Sequence, residues 1–256
     1  MASPLHFEDV TLLVTHYNRS RSLERLLQSF RNLQISFGGI VVSDDGSKPE
    51  HLDYLRSLEQ PMGFTLVTTP QNKGLGNNIN KGQDAVKTPY TLYVQEDFDP
   101  QQAFAEHFPN GLQILKGRED VDIVRFYAYT YYPYLKPLGN GFSEMQFGLW
   151  KPGYMKFYMY SDHPHLRRTS FFSKFGRYAE GKKVEKTEYL MMMSFLRKKG
   201  KAVIYEHKDD LFVQKNSSAE PSTVRRNFWR ESGGFVMTNL RHLYRHLKFN
   251  FDYLFG

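Results

Sequence analysis

The sequence predicts an α/β fold, a mostly parallel central sheet flanked by helices, and three observations carry that expectation. Short β-prone runs alternate four times with amphipathic helical segments between residues 10 and 97. The connections between them are short enough for βα units, as in a doubly wound sheet. Three of the four strand ends finish in polar or acidic residues, and ligands of open α/β sheets bind outside the carboxyl ends of the strands.

The elements follow in order. Residues 10–14 form an unbroken Val-Thr-Leu-Leu-Val run, the pattern of a strand covered on both faces. It runs into Thr15-His16-Tyr17-Asn18-Arg19-Ser20, and Leu23, Leu26, Leu27 and Phe30 then mark one face of a helix. A second strand at 39–43 ends in Asp44-Asp45-Gly46-Ser47, a turn sequence. Leu52, Leu55 and Leu58 mark the next helix, and residues 64–68 a third strand. Asn72-Lys73-Gly74-Leu75-Gly76 opens a helix reaching Val86, and a fourth strand at 90–94 ends in Gln95-Glu96-Asp97. Residues 126–165, rich in Tyr, Phe, Gly and Pro, read as irregular strands and a long loop. A helix is expected over 187–199, a strand over 203–205 leading into Glu206-His207, and a helical tail from 227 to 247 with an aromatic end. The expected division is a catalytic domain over 1–225 and a basic, aromatic tail over 226–256.

Composition narrows the function classes. The 256 residues are 40% hydrophobic, enough for a normal core, and contain no cysteine, which excludes disulfides and thiolate metal sites. The start, MASPLHFEDV, lacks the features of a signal peptide, and no run of eighteen apolar residues exists. The expected compartment is therefore the cytoplasm. Lys and Arg number 34 against 27 Asp and Glu, giving +7, which favours anionic partners without choosing among phosphates, anionic lipid and nucleic acid. No nucleic-acid recognition motif is present, and acidic strand ends repel a phosphate backbone, so nucleic acid is not an expected partner. A nucleotidyltransferase would carry a Gly-rich basic loop after the first strand, and Thr15-His16-Tyr17-Asn18 is not one.

Four ordered signals at the strand ends resemble the inverting family 2 glycosyltransferases of the GT-A fold. They are Thr15-x-Tyr17-Asn18-Arg19, Asp44-Asp45-Gly46-Ser47, Asn72-x-Gly74 with Asn80-x-Gly82, and Gln95-Glu96-Asp97 at the place of the family's Asp-x-Asp motif. The resemblance covers about residues 8–100 and thins beyond, where acceptor specificity differs between members. It implies a GT-A sheet with a smaller acceptor-side region over about 101–225. It also implies an enzyme of the polysaccharide or lipopolysaccharide biosynthesis type, moving a sugar from a nucleotide donor, by family habit a UDP-sugar, to a saccharide or lipid-linked acceptor.

The same resemblance assigns roles. Asp44 and Asp45 contact base and ribose, Thr15 and Tyr17 form the other side of the base pocket, and Asn18 and Arg19 complete that motif. Asn72, Gly74, Asn80 and Gly82 bring backbone close to the donor, while Ile79 stands where many relatives have arginine, leaving Asn77 or Lys73 as substitutes. Asp97 is the expected ligand of Mn²⁺ or Mg²⁺, with His207 as a further metal ligand or diphosphate contact. Gln95 replaces the motif's first aspartate and lowers the site's charge; Glu96 is expected to point the other way along the strand. Counting back from Gly200 places the general base at Glu188, with Glu185 as rival on the same helical face. Arg167 or Arg168, in a polar segment at 161–168, is a candidate phosphate contact. Trp150 is either a sugar-stacking ring or core. The tail's basic and aromatic residues suit an anionic membrane surface, docking on the domain, or a homodimer contact. Gln95 and Ile79 also keep open a degenerate, binding-only protein.

Overall fold

Residues 10–16 are buried without a break because their strand has a neighbour on each side. That strand, β1 (Leu5–His16), pairs in parallel with β2 (Ile35–Asp44) and with β4 (Tyr90–Gln95), and β2 pairs in parallel with β3 (Thr65–Val67). The computed structural model describes residues 4–207, 209–216, 220 and 235–256. Side chains of β1 alternate between two cores. Val10, Leu12 and Val14 join one, and Leu13 joins the other, as the two-residue period of a strand requires.

Helices cover both faces. On the first, α1 (Ser20–Asn32), α2 (Pro49–Met62) and α4 (Gln102–Gly117) contribute Leu23, Leu27, Leu55, Phe104 and Phe108. On the second, α3 (Leu75–Asp84), α5 (Phe171–Phe175) and α6 (Val184–Arg197) contribute Ile79, Phe175, Met192 and Phe195. Ile79 is wholly buried against the sheet, so this position faces Leu13 and Tyr93 in the core and not a donor.

Beyond β4 the sheet changes direction. Its order is β3-β2-β1-β4-β9-β6-β10-β8-β7, with β6 at Ile123–Arg125, β7 at Leu135–Gly139, β8 at Phe142–Met145, β9 at His165–Arg168 and β10 at Ala202–Tyr205. Strand β9 runs antiparallel between β4 and β6, and β6 pairs in parallel with β10. A separate antiparallel pair joins β5 (Phe98–Pro100) to β11 (Phe212–Gln214). The likeness to the sequence-based elements is close through residue 97. Two differences follow. Helix α4 was not expected, since no element was read between residues 98 and 125, and it carries Pro109 inside it. The polar segment 161–168 was expected as a loop, and half of it is the central strand β9.

The described part of the tail is a helix, α7 (Phe235–Phe255), which ends later than expected, while the start of the expected tail lies outside the described residues. Phe228 and Trp229, counted in the expected tail, lie outside the described residues.

Gly82 fixes how closely α3 lies on the sheet. A Cβ there would stand 2.6 Å from Leu13 Cδ1 and 2.8 Å from Ser43 Cβ. Alanine's better helix propensity is worth at most ~1 kcal/mol, while overpacking a buried strand–helix contact costs about 1–3 kcal/mol. Gly82→Ala is therefore expected to lower stability by about 1 kcal/mol or more, read as a lower midpoint in urea denaturation at unchanged slope. A stabilised variant would show that α3 can lift without cost.

Candidate active site

The carboxyl ends of β1, β2 and β4 meet at a cleft of about 450 Å³ lined by Thr15, Tyr17, Arg19, Asp45, Gln95 and Asp97, among others. The chain reaches it through a tightly bonded turn. His16 Nδ1 donates to Asp44 Oδ1 at 2.8 Å, and His16 Nε2 accepts from the Arg19 backbone N–H at 3.1 Å. Asp44 also accepts from Ser47 N at 3.0 Å and from Thr68 Oγ1 at 2.9 Å. Burial opposes ionisation of Asp44, but the bonds from His16 and Ser47 outweigh it and hold its carboxyl at about 2. Burial lowers the pKa of His16, the Asp44 bond offsetting only part of that, which agrees with a neutral ring that donates at one nitrogen and accepts at the other.

Both oxygens of Asp44 are thus occupied inside the fold, and the residue does not line the cleft. The expected nucleotide contact is corrected to a structural role. Asp45, the next residue, does line it. Its Oδ1 accepts from Lys73 N at 2.8 Å and its Oδ2 from Gly74 N at 2.9 Å, so it also positions the loop before α3. Burial raises its pKa against those two bonds. Gly46 makes this turn possible: its φ is +66°, and a Cβ would lie 2.5 Å from the Gln71 carbonyl carbon.

Asn18 and Asn80 are likewise corrected. Asn18, at φ +53°, donates its N–H to Ser47 Oγ and accepts from Lys48 N, bracing two loops against each other outside the cleft wall. Asn80 is buried and clamps the 178–180 segment, bonding Tyr178 N, Tyr178 O and Glu180 Oε1. Asn77 is held by Glu180 Oε2. Asn72, Gly74 and Asn78 line the cleft; Asn78 accepts from Ser43 Oγ at 2.8 Å and donates to His16 O at 3.2 Å.

Residues 96 and 97 form a turn and not a continuing strand, so the expected alternation fails and Glu96 lines the cleft beside Asp97. Burial and the charge of Asp97 push the Glu96 pKa well up. Arg19 is buried under both, with Nη1 at 3.2 Å from Asp97 Oδ2 and 3.5 Å from Glu96 Oε1. Its Nη2 donates to Asn216 Oδ1 and Glu220 O, so its role here is internal charge balance. Gln214 Nε2 donates to Asp97 Oδ2 at 2.8 Å, while Asp97 Oδ1 is buried with no hydrogen-bond partner among the described residues.

That orphaned oxygen is the observation that bears on a metal. Among the described residues no three His, Cys, Asp or Glu side chains cluster as a metal cage. Mg²⁺ and Mn²⁺ are often held by one or two carboxylates with substrate phosphates and water, and Asp97 Oδ1 fits such a minimal set. His207 does not take part. It follows β10 on the far side of β6 and packs beside Tyr205, its ring 5.3 Å away, in a small groove that shares no residue with the cleft. His163 lines the cleft instead.

The opposite wall comes from α6 and the loop before β9. Glu188, Glu185 and Asp162 all face the cleft. Glu188 Oε1 accepts from Asp162 N at 3.1 Å, and Asp162 Oδ1 accepts from Tyr160 OH at 2.7 Å, leaving its Oδ2 buried without a partner among the described residues. Burial, then the neighbouring Asp162 charge, raise the Glu188 pKa toward neutrality, and burial likewise raises that of Asp162. Glu185 is exposed, in the first turn of α6. Burial holds His163 neutral, down at about 3, and its Nδ1 pairs with Ser161 Oγ at 3.1 Å.

Glu188, His163 and Tyr129 also line a second cavity of about 280 Å³, walled by Tyr132, Tyr154, Tyr158 and Arg245. Arg167 and Arg168 do not reach either space. Arg167 is fully buried and bonds Gln83 Oε1 and Tyr178 OH, and Arg168 bonds Leu115 O and Arg118 O. Trp150 is 95% exposed, neither core nor part of either cavity. The sequence reading missed His16, Asn78, Tyr129 and Gln214 as site builders. Only His16, sandwiched inside Thr15-x-Tyr17, carried a local signal.

The profile of "Glycosyl transferase family 2" matches residues 11–179. The poly-beta-1,6-N-acetyl-D-glucosamine synthase of Staphylococcus aureus is 24% identical over 90 residues, covering 35% of this chain and 22% of the synthase. The cholesterol galactosyltransferase of Borreliella burgdorferi is 21% identical over 129 residues, covering 50% of this chain and 36% of that enzyme. The crystal structure of S. aureus TarS 1–349 in complex with UDP-GlcNAc superposes with a TM-score of 0.60 at 13% identity, covering 84% of this chain and 62% of TarS 1–349. That likeness shows the fold. With two thirds of its length matched by the profile, the chain belongs to glycosyl transferase family 2.

Proposed function

We propose that the protein transfers a sugar from a UDP-sugar to a hydroxyl of a saccharide or lipid-linked saccharide, with inversion at the anomeric carbon. The observation that carries this reading is the position of Glu188 on the wall shared by two cavities. The larger is the donor cleft, built mainly from the 8–100 half, and the smaller is the acceptor cavity, built from the 101–225 half and α7. The UDP-GlcNAc and UDP complexes of TarS favour a uridine donor.

In this arrangement Tyr17 and Thr15 flank the base, and Asp45 accepts from base or ribose. Asp97 Oδ1 is the residue atom placed to hold Mg²⁺ or Mn²⁺, which, when bound, neutralises charge on the departing diphosphate. Six carboxyl groups and one guanidinium line the cleft, so a diphosphate brought there needs a compensating cation. Glu188 takes the acceptor hydroxyl proton, the acceptor oxygen forms its bond to the anomeric carbon, and the bond from that carbon to the diphosphate oxygen breaks. Burial suits Glu188 to this work, because a carboxylate with a raised pKa is a stronger base. Asp162 N–H fixes the Glu188 carboxylate, and the tyrosine walls of the acceptor cavity offer apolar faces to a sugar ring. A binding-only protein is the second reading, favoured by Gln95 in the place of a carboxylate.

Calorimetry with UDP-, GDP- and dTDP-sugars, in Mn²⁺ and then in EDTA, tests the donor site. Saturable, metal-dependent binding of a UDP-sugar is expected, weakened about tenfold or more in Asp97→Asn. A folded protein that binds none of these donors would sink the assignment.

Release of UDP from the bound donor tests the base. Glu188→Gln is expected to slow it by about 100-fold or more with donor affinity unchanged, and Glu185→Gln to leave it near wild type. The reverse pattern would move the base to Glu185, and UDP release by neither wild type nor variant would favour the binding-only reading. The wild-type rate should fall as pH drops through the raised pKa of Glu188, because the base works only when ionised. That limb should lie closer to neutrality than an ordinary glutamate near 4.5 and vanish in Glu188→Gln.

A further inference from the structure

Helix α7 lies on the domain by one face only. Phe249 is buried among Tyr154, Phe157, Tyr158 and Tyr189, and Tyr253 packs on Phe147 and Phe157. Tyr189 OH bonds Asp252, and Arg197 bonds the carbonyls at the helix end. These contacts fix the rotation of the helix about its axis, so its other face is held outward.

That outward face is apolar throughout. Leu240, Leu243, Tyr244, Leu247, Phe251 and Leu254 are 53 to 64% exposed. Met237 and Phe255 extend the stripe at its ends. At 100° per residue these eight positions fill one sector of about 120° with no polar residue inside it. A single exposed leucine needs no explanation, but a continuous stripe along five turns marks a contact surface.

The charges beside the stripe select its occupant. Arg241 and Lys248 border it on one side, and Asn239 and Asn250 on the other. The helix carries Arg241, Arg245 and Lys248 against one acid, Asp252, whose carboxylate is taken by Tyr189 and Lys248. Spacing at 237, 240, 244, 247, 251 and 254 also satisfies a two-helix seam, but the flanking positions of such a seam hold Arg241, Lys248, Leu243 and Asn250. With three Arg or Lys against one acid on the helix, two copies would set net positive charge against net positive charge, whereas anionic headgroups would balance it. Among the described residues no helix is long and apolar enough to cross a membrane, so the contact is one of lying on the surface.

We infer that the outer face of α7 seats the protein on an anionic lipid surface, apolar side chains in the acyl boundary and basic flank at the headgroups. Arg245, on the same helix, lines the acceptor cavity. The docked helix therefore brings that cavity to the lipid surface, a consequence that rests on the acceptor reading above, whereas the docking does not.

Vesicle sedimentation of the full chain tests it, with phosphatidylcholine alone and with about a third phosphatidylglycerol. The expected result is binding to the anionic vesicles, weakened by salt and at least about tenfold stronger than to phosphatidylcholine. The pair Leu240→Glu and Leu247→Glu, on the exposed face, should abolish it while leaving circular dichroism and UDP-sugar binding unchanged. Equal binding by the double variant, or no binding by folded wild type, overturns the proposal. So does a wild-type dimer by light scattering that the double variant dissociates, without vesicle binding. Equal binding to both vesicle types overturns its anionic part. Loss of donor binding in all proteins, with vesicle binding intact, would count against the proposed function alone.

Discussion

The buried pair of His16 and Asp44 is the contact on which the larger cleft depends. Parallel strands covered on both faces must end abruptly, and their first exposed polar groups meet in a crowded space. Here the ends of β1 and β2 are tied by a 2.8 Å bond between the two side chains. The other ring nitrogen then catches the backbone entering α1, and Asp44 gathers the turn at Ser47 and the end of β3 through Thr68. One ion-stabilised knot thus sets the positions of Tyr17, Arg19 and Asp45, each of which stands on a segment leaving it.

Electrostatics divides the buried acids of the cleft and of the turn behind it by the donors that reach them. Asp44, saturated with donors, stays ionised far into acid. Glu96, Asp162 and Glu188 are short of donors and held toward their neutral forms by burial. Asp97 is met on one oxygen by Arg19 and Gln214 and is open on the other. The guanidinium of Arg19 therefore serves as a resident counter-ion. It stands against Asp97 Oδ2 and leaves Oδ1 open.

Much of the first hundred residues was legible because each element there carries its own punctuation. The Val-Thr-Leu-Leu-Val run, the Asp-Asp-Gly-Ser turn and the acidic end of β4 are local signals with local causes. Which aspartate of the turn faces inward was not legible, since that depends on a histidine 28 residues away. The role of Asn80 was hidden for the same reason: its partners lie at 178–180. Strand β9 was unreadable because its four residues, His-Leu-Arg-Arg, look polar, and only their neighbours β4 and β6 make them central. Arg167 is tolerated there because Gln83 and Tyr178 receive its guanidinium and aromatic rings surround it. Glu188, expected from its count back from Gly200, does line the cleft, but its companion Asp162 arrives from a polar segment that offered no sign of it.

The reversal of β9 has a consequence for how such a protein can diverge. Because this one strand runs against its neighbours, the chain must leave the sheet after β6 and return from the side of the cleft, and the excursion between them spans residues 126–164. That detour supplies Tyr129, Tyr132, Tyr154, Tyr158 and His163 to the second cavity but shares no register with β1, β2 or β3. Insertions or substitutions within it can reshape that cavity while β1, β2 and β3 keep their pairing. The topology thus separates two evolutionary variables, a half fixed by its parallel pairing and a replaceable detour that walls the second cavity and lends Tyr129, Asp162 and His163 to the first.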